Sequence, residues 1–399
     1  MKILEKLFAL ISISVLTLTS CTKEEGLNEP LTNDPTVPAK VTDVTVKNGN
    51  GNATITYALR KDPVLLYVKA VYKTANGTEF ETKSSSYNNT IFVEGFADTL
   101  EHEVKLYSVS RSNVVSEPVT VKVKPLISPI WLAYKSLSIQ NAFGGYNLSA
   151  VNTPKANIAI IVIKKNVFNE YEADRDKSVY SNADTILSKV RGLDTTLYRL
   201  GFYVQDRWGN KTDTLYSNVR PLYETQLSKS KFTAYVLPGD AAQVTNGAAL
   251  QYMWDDRLGW PWTSFTSQSS GTEPHMVTFS LGVTAKLSRI WIRPYPEGNL
   301  WYYLSTMKRF EIYGATNPSL SGALDNTWTL LGSYTVKKPS GLPYGNDNGT
   351  DQTTAAAGFN WELNLSAPKV RYLRIRCLEN FAGGTNQSIN EISVFGDNR

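Results

Sequence analysis

The sequence predicts an all-β protein of three consecutive sandwiches, and three observations carry that reading. Apolar and polar residues alternate over much of the chain, as in Val44 and Val46, then Ala53, Ile55 and Tyr57, then Leu66, Val68, Ala70 and Tyr72; a period of two sends successive side chains to opposite faces of a strand. Glycine, proline and asparagine interrupt these runs at short intervals, and Asn76-Gly77 between two of them is a hairpin turn signal. The chain has 399 residues, too many for one ordinary domain and enough for two or three.

Composition narrows the function classes. With 42% hydrophobic and 19% charged residues the chain can bury real cores and is not disordered. The net charge of +5 is small and dispersed, so no nucleic-acid partner is expected. The two cysteines, Cys21 and Cys377, build no disulfide framework, and Cys377, alternating with core residues, reads as a small buried hydrophobe. Two histidines, His102 and His275, argue against a histidine-rich metal site and weaken any Ser-His or Cys-His catalytic arrangement.

Residues 1–20 begin with Lys2 and Lys6 and continue in an apolar run from Leu7 to Leu18. That run is too short to span a bilayer and has the shape of an export signal. It ends at Leu18-Thr19-Ser20-Cys21, which resembles a bacterial lipobox; the resemblance implies cleavage before Cys21 and lipidation of that residue, the rival being an ordinary signal peptide beside a chance cysteine. Lys23-Glu24-Glu25 resembles the signal by which Bacteroidota send lipoproteins to the outer face of the outer membrane, so a lipid-anchored place at the cell surface is expected. Residues 21–38, polar and holding Pro30, Pro35 and Pro38, read as a tether.

Residues 39–125 form the first sandwich. Pro38-Ala39-Lys40-Val41, the strand Ile55-Thr56-Tyr57 and the turn Val93-Glu94-Gly95-Phe96 leading into His102, Val104 and Leu106 resemble a fibronectin type III domain. His102 stands where that family usually has a tyrosine pinning a corner, and reads as a corner residue rather than a ligand. Residues 126–223 repeat the pattern: Val190-Arg191-Gly192-Leu193 echoes the first turn about 97 residues later, with Tyr198 at the corner. An insertion from Asn166 to Asp184 carries Glu170, Glu172, Asp174 and Asp176 among Arg175 and Lys177; without a loop glycine it reads as a solvated hairpin rather than a calcium loop.

Residues 224–399 form the third unit. Its last stretch alternates Leu373, Ile375 and Cys377 with Tyr372, Arg374 and Arg376, which predicts arginines facing outward, and pairs as a long-looped hairpin with the run ending at Gly396. Arg371 to Ile375, Glu391 to Gly396, Trp254-Asp255-Asp256, Trp262-Thr263-Ser264, Phe279 to Gly282 and Ile290-Trp291-Ile292 resemble the discoidin, or coagulation factor five-eight type C, family. The expected fold is therefore two fibronectin type III-like sandwiches followed by a discoidin-like jelly-roll sandwich.

Seven of the nine tryptophans follow residue 223. Trp291, Trp328 and Trp361 lie in strand-like runs and pack, and Trp262, at the family's common core position, reads as inward; other aromatics sit in polar loops. Trp260 lies in one such loop, and Tyr295, Trp301, Tyr302 and Tyr303 surround Asn299 in another. An exposed aromatic face suits the C–H face of a sugar while nearby polar groups take its hydroxyls; the rings of the second loop either pack or bind. The resemblance implies that loops at one barrel end form the site, which adds Phe381 by position, with Arg293 and Asn299 as hydrogen-bond donors or ordinary surface residues. It also implies a structural calcium held by Asp255 or Asp256 and Glu391, although Arg257 breaks the family's Asp-Gly-Asp pattern; no other cofactor is expected.

The whole chain resembles the multidomain glycan-binding lipoproteins encoded with the outer-membrane uptake systems of Bacteroidota polysaccharide-utilisation loci. That implies a non-catalytic surface protein that binds a polysaccharide or oligosaccharide, anchored in the outer membrane and working with a glycan transporter complex. The alternative is an adhesin or scaffold binding a protein. An enzyme is not expected, since no stretch remains for a catalytic barrel.

Overall fold

The computed structural model describes residues 30–399, so the leader, Cys21 and the first part of the tether lie outside the described residues. The tether's end touches the first module: the Leu31 N–H donates to the Arg111 carbonyl at 2.8 Å, and the Thr32 and Ser112 hydroxyls stand 2.7 Å apart.

The first module packs a sheet of Thr42–Gly49, Asn52–Ala58 and Thr90–Glu94 on a sheet ordered Glu79–Ser85, Leu65–Lys73, His102–Ser110 and Val119–Val123. Its alternating residues meet between the sheets, with Ala53, Ile55 and Tyr57 facing Val68, Ala70, Val104 and Leu106. The second module repeats the order. Ser138–Ala142, Gly145–Val151 and Thr185–Val190 form its smaller sheet, and Tyr171–Ala173, Ile158–Lys165, Tyr198–Asp206 and Leu215–Val219 its larger one, with Val179–Ser181 also beside Ile158–Lys165. The corners are equivalent. Gly95 and Gly192 take positive φ (92° and 84°), and each is followed by an aspartate that receives the corner residue: His102 Nε2 lies 2.7 Å from Asp98, and the Tyr198 hydroxyl donates to Asp194 at 2.9 Å.

Two details differ from the strand-only reading. A helix, α1 (Pro129–Lys135), opens the second module, with proline in its first turn, where the missing N–H has no intrahelical partner to lose. The acidic insertion is not wholly solvated: Asp174 is buried, 3.2 Å from Lys164 Nζ and 3.0 Å from Lys177 Nζ.

The third module is organised by Met276–Arg293, an 18-residue strand that passes from one layer to the other. Its first part pairs with Val370–Asn380, its second with Glu391–Asp397 and Phe359–Glu362, and it bends at Gly282 (φ 70°), where a Cβ would strike the Lys231 carbonyl. The two closing strands therefore flank this strand and do not pair with each other, which corrects the expected hairpin. Arg374 does not face outward. It is fully buried, donating to Thr278 Oγ1 (2.8 Å) and the Gly322 carbonyl (2.7 Å), 3.2 Å from Asp240 and over the Trp328 ring at 4.7 Å. Chain from residues 233–240 and 319–328 covers this second face, so a polar position became interior. A short helix, α2 (Gly349–Ala356), starts at a capping box of Asn348 and Asp351. The molecule is thus two fibronectin type III-like sandwiches followed by a discoidin-like jelly-roll sandwich.

Candidate functional site

Loops of the third module converge at one end. Arg293 ends its strand opposite Glu391, Met307 pairs with Asn380, and Arg309 pairs with Thr335, so residues 294–306, 336–348 and 381–390 leave the sheets together. The loop from 255 to 263 joins them, because Ser264 pairs with Ile389 and the Asp256 N–H donates to Glu391 Oε2 at 3.0 Å.

Trp260 and Tyr295 come together there. Trp260 is 41% exposed, and its ring centroid lies 6.2 Å from that of half-buried Tyr295 at 67°, with Phe265 edge-on at 6.4 Å. Burial and the neighbouring Glu297 raise the Tyr295 phenol, and burial raises the Glu297 carboxyl, so the tyrosine stays a neutral donor beside a carboxyl group. Asn299 is exposed at the tip of the turn Glu297–Leu300, and its carbonyl accepts from Gln352.

Other predicted contacts sit elsewhere. Trp301 (9% exposed) and Tyr302 (1% exposed) are core residues and not open platforms. The cause is Asp347, whose Oδ2 accepts the Trp301 and Tyr302 N–H groups at 2.6 and 3.1 Å and ties this segment to the interior. Arg293 is occupied within the protein. Its guanidinium lies 4.7 Å over Trp301 and donates to Ala356 O and Asn390 Oδ1. Phe381 is half-buried, edge-on to Tyr302 at 5.4 Å. Tyr303 stacks on Tyr344 at 4.7 Å and 24°, and Tyr344 is exposed, giving a second aromatic face. Sequence reading missed Tyr344, although Pro343-Tyr344-Gly345-Asn346 carries the same signal of an aromatic in a turn-rich loop. Trp262 is half-buried, with the Arg257 guanidinium 3.5 Å over its ring.

The three proposed metal ligands do not fit a calcium ion. Lys229 Nζ lies 2.6 Å from Asp256 Oδ1 and 2.7 Å from Glu391 Oε1, placing an ammonium where the cation would stand. Asp255 turns instead to Arg257, at 2.8 Å. Calcium needs six to eight oxygen ligands, and among the described residues no group of three or more His, Cys, Asp or Glu is placed to hold a metal.

Three family models match in succession, each described as a domain of unknown function: DUF4959 over residues 38–125, DUF5126 over 126–230 and DUF5000 over 254–396. No curated protein matches. Among solved structures, a SusE-like protein is 23% identical with a TM-score of 0.45, covering 67% of this chain and 99% of its own. A CBM32 module of a GH31 protein, solved bound to GalNAc, is 18% identical with a TM-score of 0.28, covering 41% and 95%. A two-domain fibronectin type III segment of chicken tenascin is 12% identical with a TM-score of 0.21, covering 45% and 98%.

Proposed function

We propose that the chain is a non-catalytic surface lipoprotein, lipidated at Cys21, that captures a polysaccharide or oligosaccharide through its discoidin-like module in support of glycan uptake. The observation that carries this reading is the exposed Trp260 ring set beside Tyr295, with Glu297 and Asn299 in the same loop. An indole face covers the apolar C–H side of a sugar, and the phenol, carboxyl and amide reach its hydroxyls. The leader and lipobox support a place on the outer membrane, where capture would feed a transporter complex.

Native gels cast with amylopectin, galactomannan, arabinogalactan, yeast β-glucan or mucin test this with the full chain. At least one polymer is expected to retard the wild type, and Trp260→Ala with Tyr295→Ala to lose most of that retardation. Retardation unchanged in the double variant removes the site from this end of the module.

One observation favours the second reading, an adhesin or scaffold. Val167 and Phe168, at the tip of the second module's insertion, are 93% and 79% exposed, and an apolar tip suits a protein surface better than a sugar. Failure of every polymer to retard the protein would shift weight to that reading.

A further inference from the structure

The outer face of the second module's larger sheet holds a cleft of about 470 Å³ beside the junction with the first module. Strand register builds it. Ala159 stands opposite Tyr180 on one side and Gln205 on the other, so the three side chains form one row on one face. The small Ala159 is a low floor between a phenol ring and an amide. Tyr180 is 66% exposed, with its ring free to cover a ligand.

The polar groups around this floor are unspent. Among the described residues the side-chain amides of Asn157, Asn182 and Gln205 make no hydrogen bond, whereas Asn152, Asn166 and Asn210 in the same module use theirs to hold turns. The wall holds one charge of each sign, Asp206 and Arg207, so it carries no net charge. Arg207 pairs with Glu94 of the first module and lies 4.4 Å over Trp208, and the Asp206 carboxylate accepts from Trp208 N and from Asn210 N and Nδ2. The cleft continues past Asn157 and Arg207 into a second hollow of about 230 Å³ lined by both the first and the second module. An aromatic platform, free amides and a lining with no net charge, drawn out along a groove, match an uncharged chain of hydroxyl-bearing rings.

We propose that this cleft is a separate binding site for a neutral oligosaccharide segment, with Tyr180 as its stacking platform and Asn157, Asn182 and Gln205 as its hydrogen-bonding groups. The proposal rests on the reading of the chain as a glycan-binding protein and adds a site in a different module.

The test uses the full chain, the same gel polymers and four forms: wild type, Tyr180→Ala with Gln205→Ala, Trp260→Ala with Tyr295→Ala, and all four substitutions together. Tyr180 is exposed and its hydroxyl is unbonded, so its replacement should leave thermal unfolding unchanged, and Tyr180→Phe should keep binding. The expected result is apparent affinity weakened about tenfold or more by the Tyr180 pair, as when one of two linked sites is lost, with none remaining in the fourfold variant. If the Tyr180 pair changes nothing in either background while the Trp260 pair abolishes binding, this proposal is overturned and the third-module site stands. If the Tyr180 pair abolishes binding and the Trp260 pair has no effect, the third-module site fails and this one stands. Absence of retardation by every polymer overturns both.

Discussion

Lys229, nearly buried between Asp256 and Glu391, performs the electrostatic work of a bound cation. Burial alone would lower its pKa; its hydrogen bonds to Asp256 and Glu391 outweigh that and raise it. A raised ammonium contributes stability throughout the range below its unfolded value and loses it only as pH climbs through the folded one, so neutral solutions hold it fully charged. Thermal unfolding of the wild type is therefore expected to be indifferent to EDTA and to added calcium. Lys229→Met strands a buried carboxylate and should cost about 3 kcal/mol, read by urea unfolding. A wild-type midpoint that rises with calcium would contradict this account. Asp347 titrates in the opposite sense. Burial would raise it, but Lys338 at 2.7 Å and the Trp301 and Tyr302 N–H groups outweigh burial and hold it below the usual carboxylate range. The unfolded chain then takes up the proton first as pH falls. Its stabilisation is fully present above the ordinary aspartate range and is lost as pH falls through the lowered folded value. Asp347→Asn should flatten that acid limb and lower stability at pH 7 by about 3 kcal/mol, with tryptophan fluorescence in urea at pH 7, 4 and 3 as the measurement.

At the scale of elements, Val370–Asn380 is an interior strand whose second face is covered at Arg374, and that residue shows what such cover requires. A guanidinium tolerates full burial here because Thr278 and the Gly322 carbonyl accept from it, Asp240 stands 3.2 Å away as its counter-charge and Trp328 covers its plane. Arg374→Leu leaves Asp240 buried and unpaired, and should cost about 3–5 kcal/mol. Adding Asp240→Leu should recover part of that loss, and equal costs for the single and double variants would show that the pair is not coupled. The same strand shows what the sequence could and could not reveal. Leu373, Ile375 and Cys377 were legible as inward by their period, and the thiol of Cys377 is buried enough to be pushed up to about 12. The burial of Arg374 was not legible, because the chain that covers it comes from residues 233–240 and 319–328 and has no strand period of its own. Trp301 and Tyr302 misled for a related reason. Their loop is rich in turn residues, but an aspartate some 45 residues further along draws it inward. Trp260 and Tyr295 were read from composition, whereas Tyr180 needed the register that sets it across Ala159 from Gln205.

Across the whole molecule, the two junctions use the same corner of each sandwich and each carries an ion pair there, Glu94 with Arg207 at the first and Arg191 with Glu224 and Glu362 at the second, but the first adds an aromatic contact. At the first, Trp208 packs on Gly95, where a Cβ would stand 2.9 Å from the ring, and Asn210 donates to the Gly95 carbonyl at 3.0 Å. At the second, Arg191 bridges Glu224 at 3.1 Å and Glu362 at 2.6 Å, with Lys189 3.7 Å from Glu362. These ionic groups are about one-third exposed or more, Glu224 apart, so salt screens them. Small-angle scattering should then show the second junction loosening between about 0.1 and 1 M salt, where the Debye length falls from about 10 to 3 Å. Arg191→Ala should produce the loosened profile already at low salt, and Trp208→Ala should loosen the first junction at every salt concentration. If a site lies at each end of this linked pair of modules, junction stiffness sets the effective concentration with which the second site finds a chain held at the first. Arg191→Ala, at the junction between the two sites, should therefore weaken binding of an intact polymer while leaving binding of its short hydrolysis fragments unchanged, because only the polymer can reach both sites. Equal weakening for polymer and fragments would mean that the junction residue acts within one site.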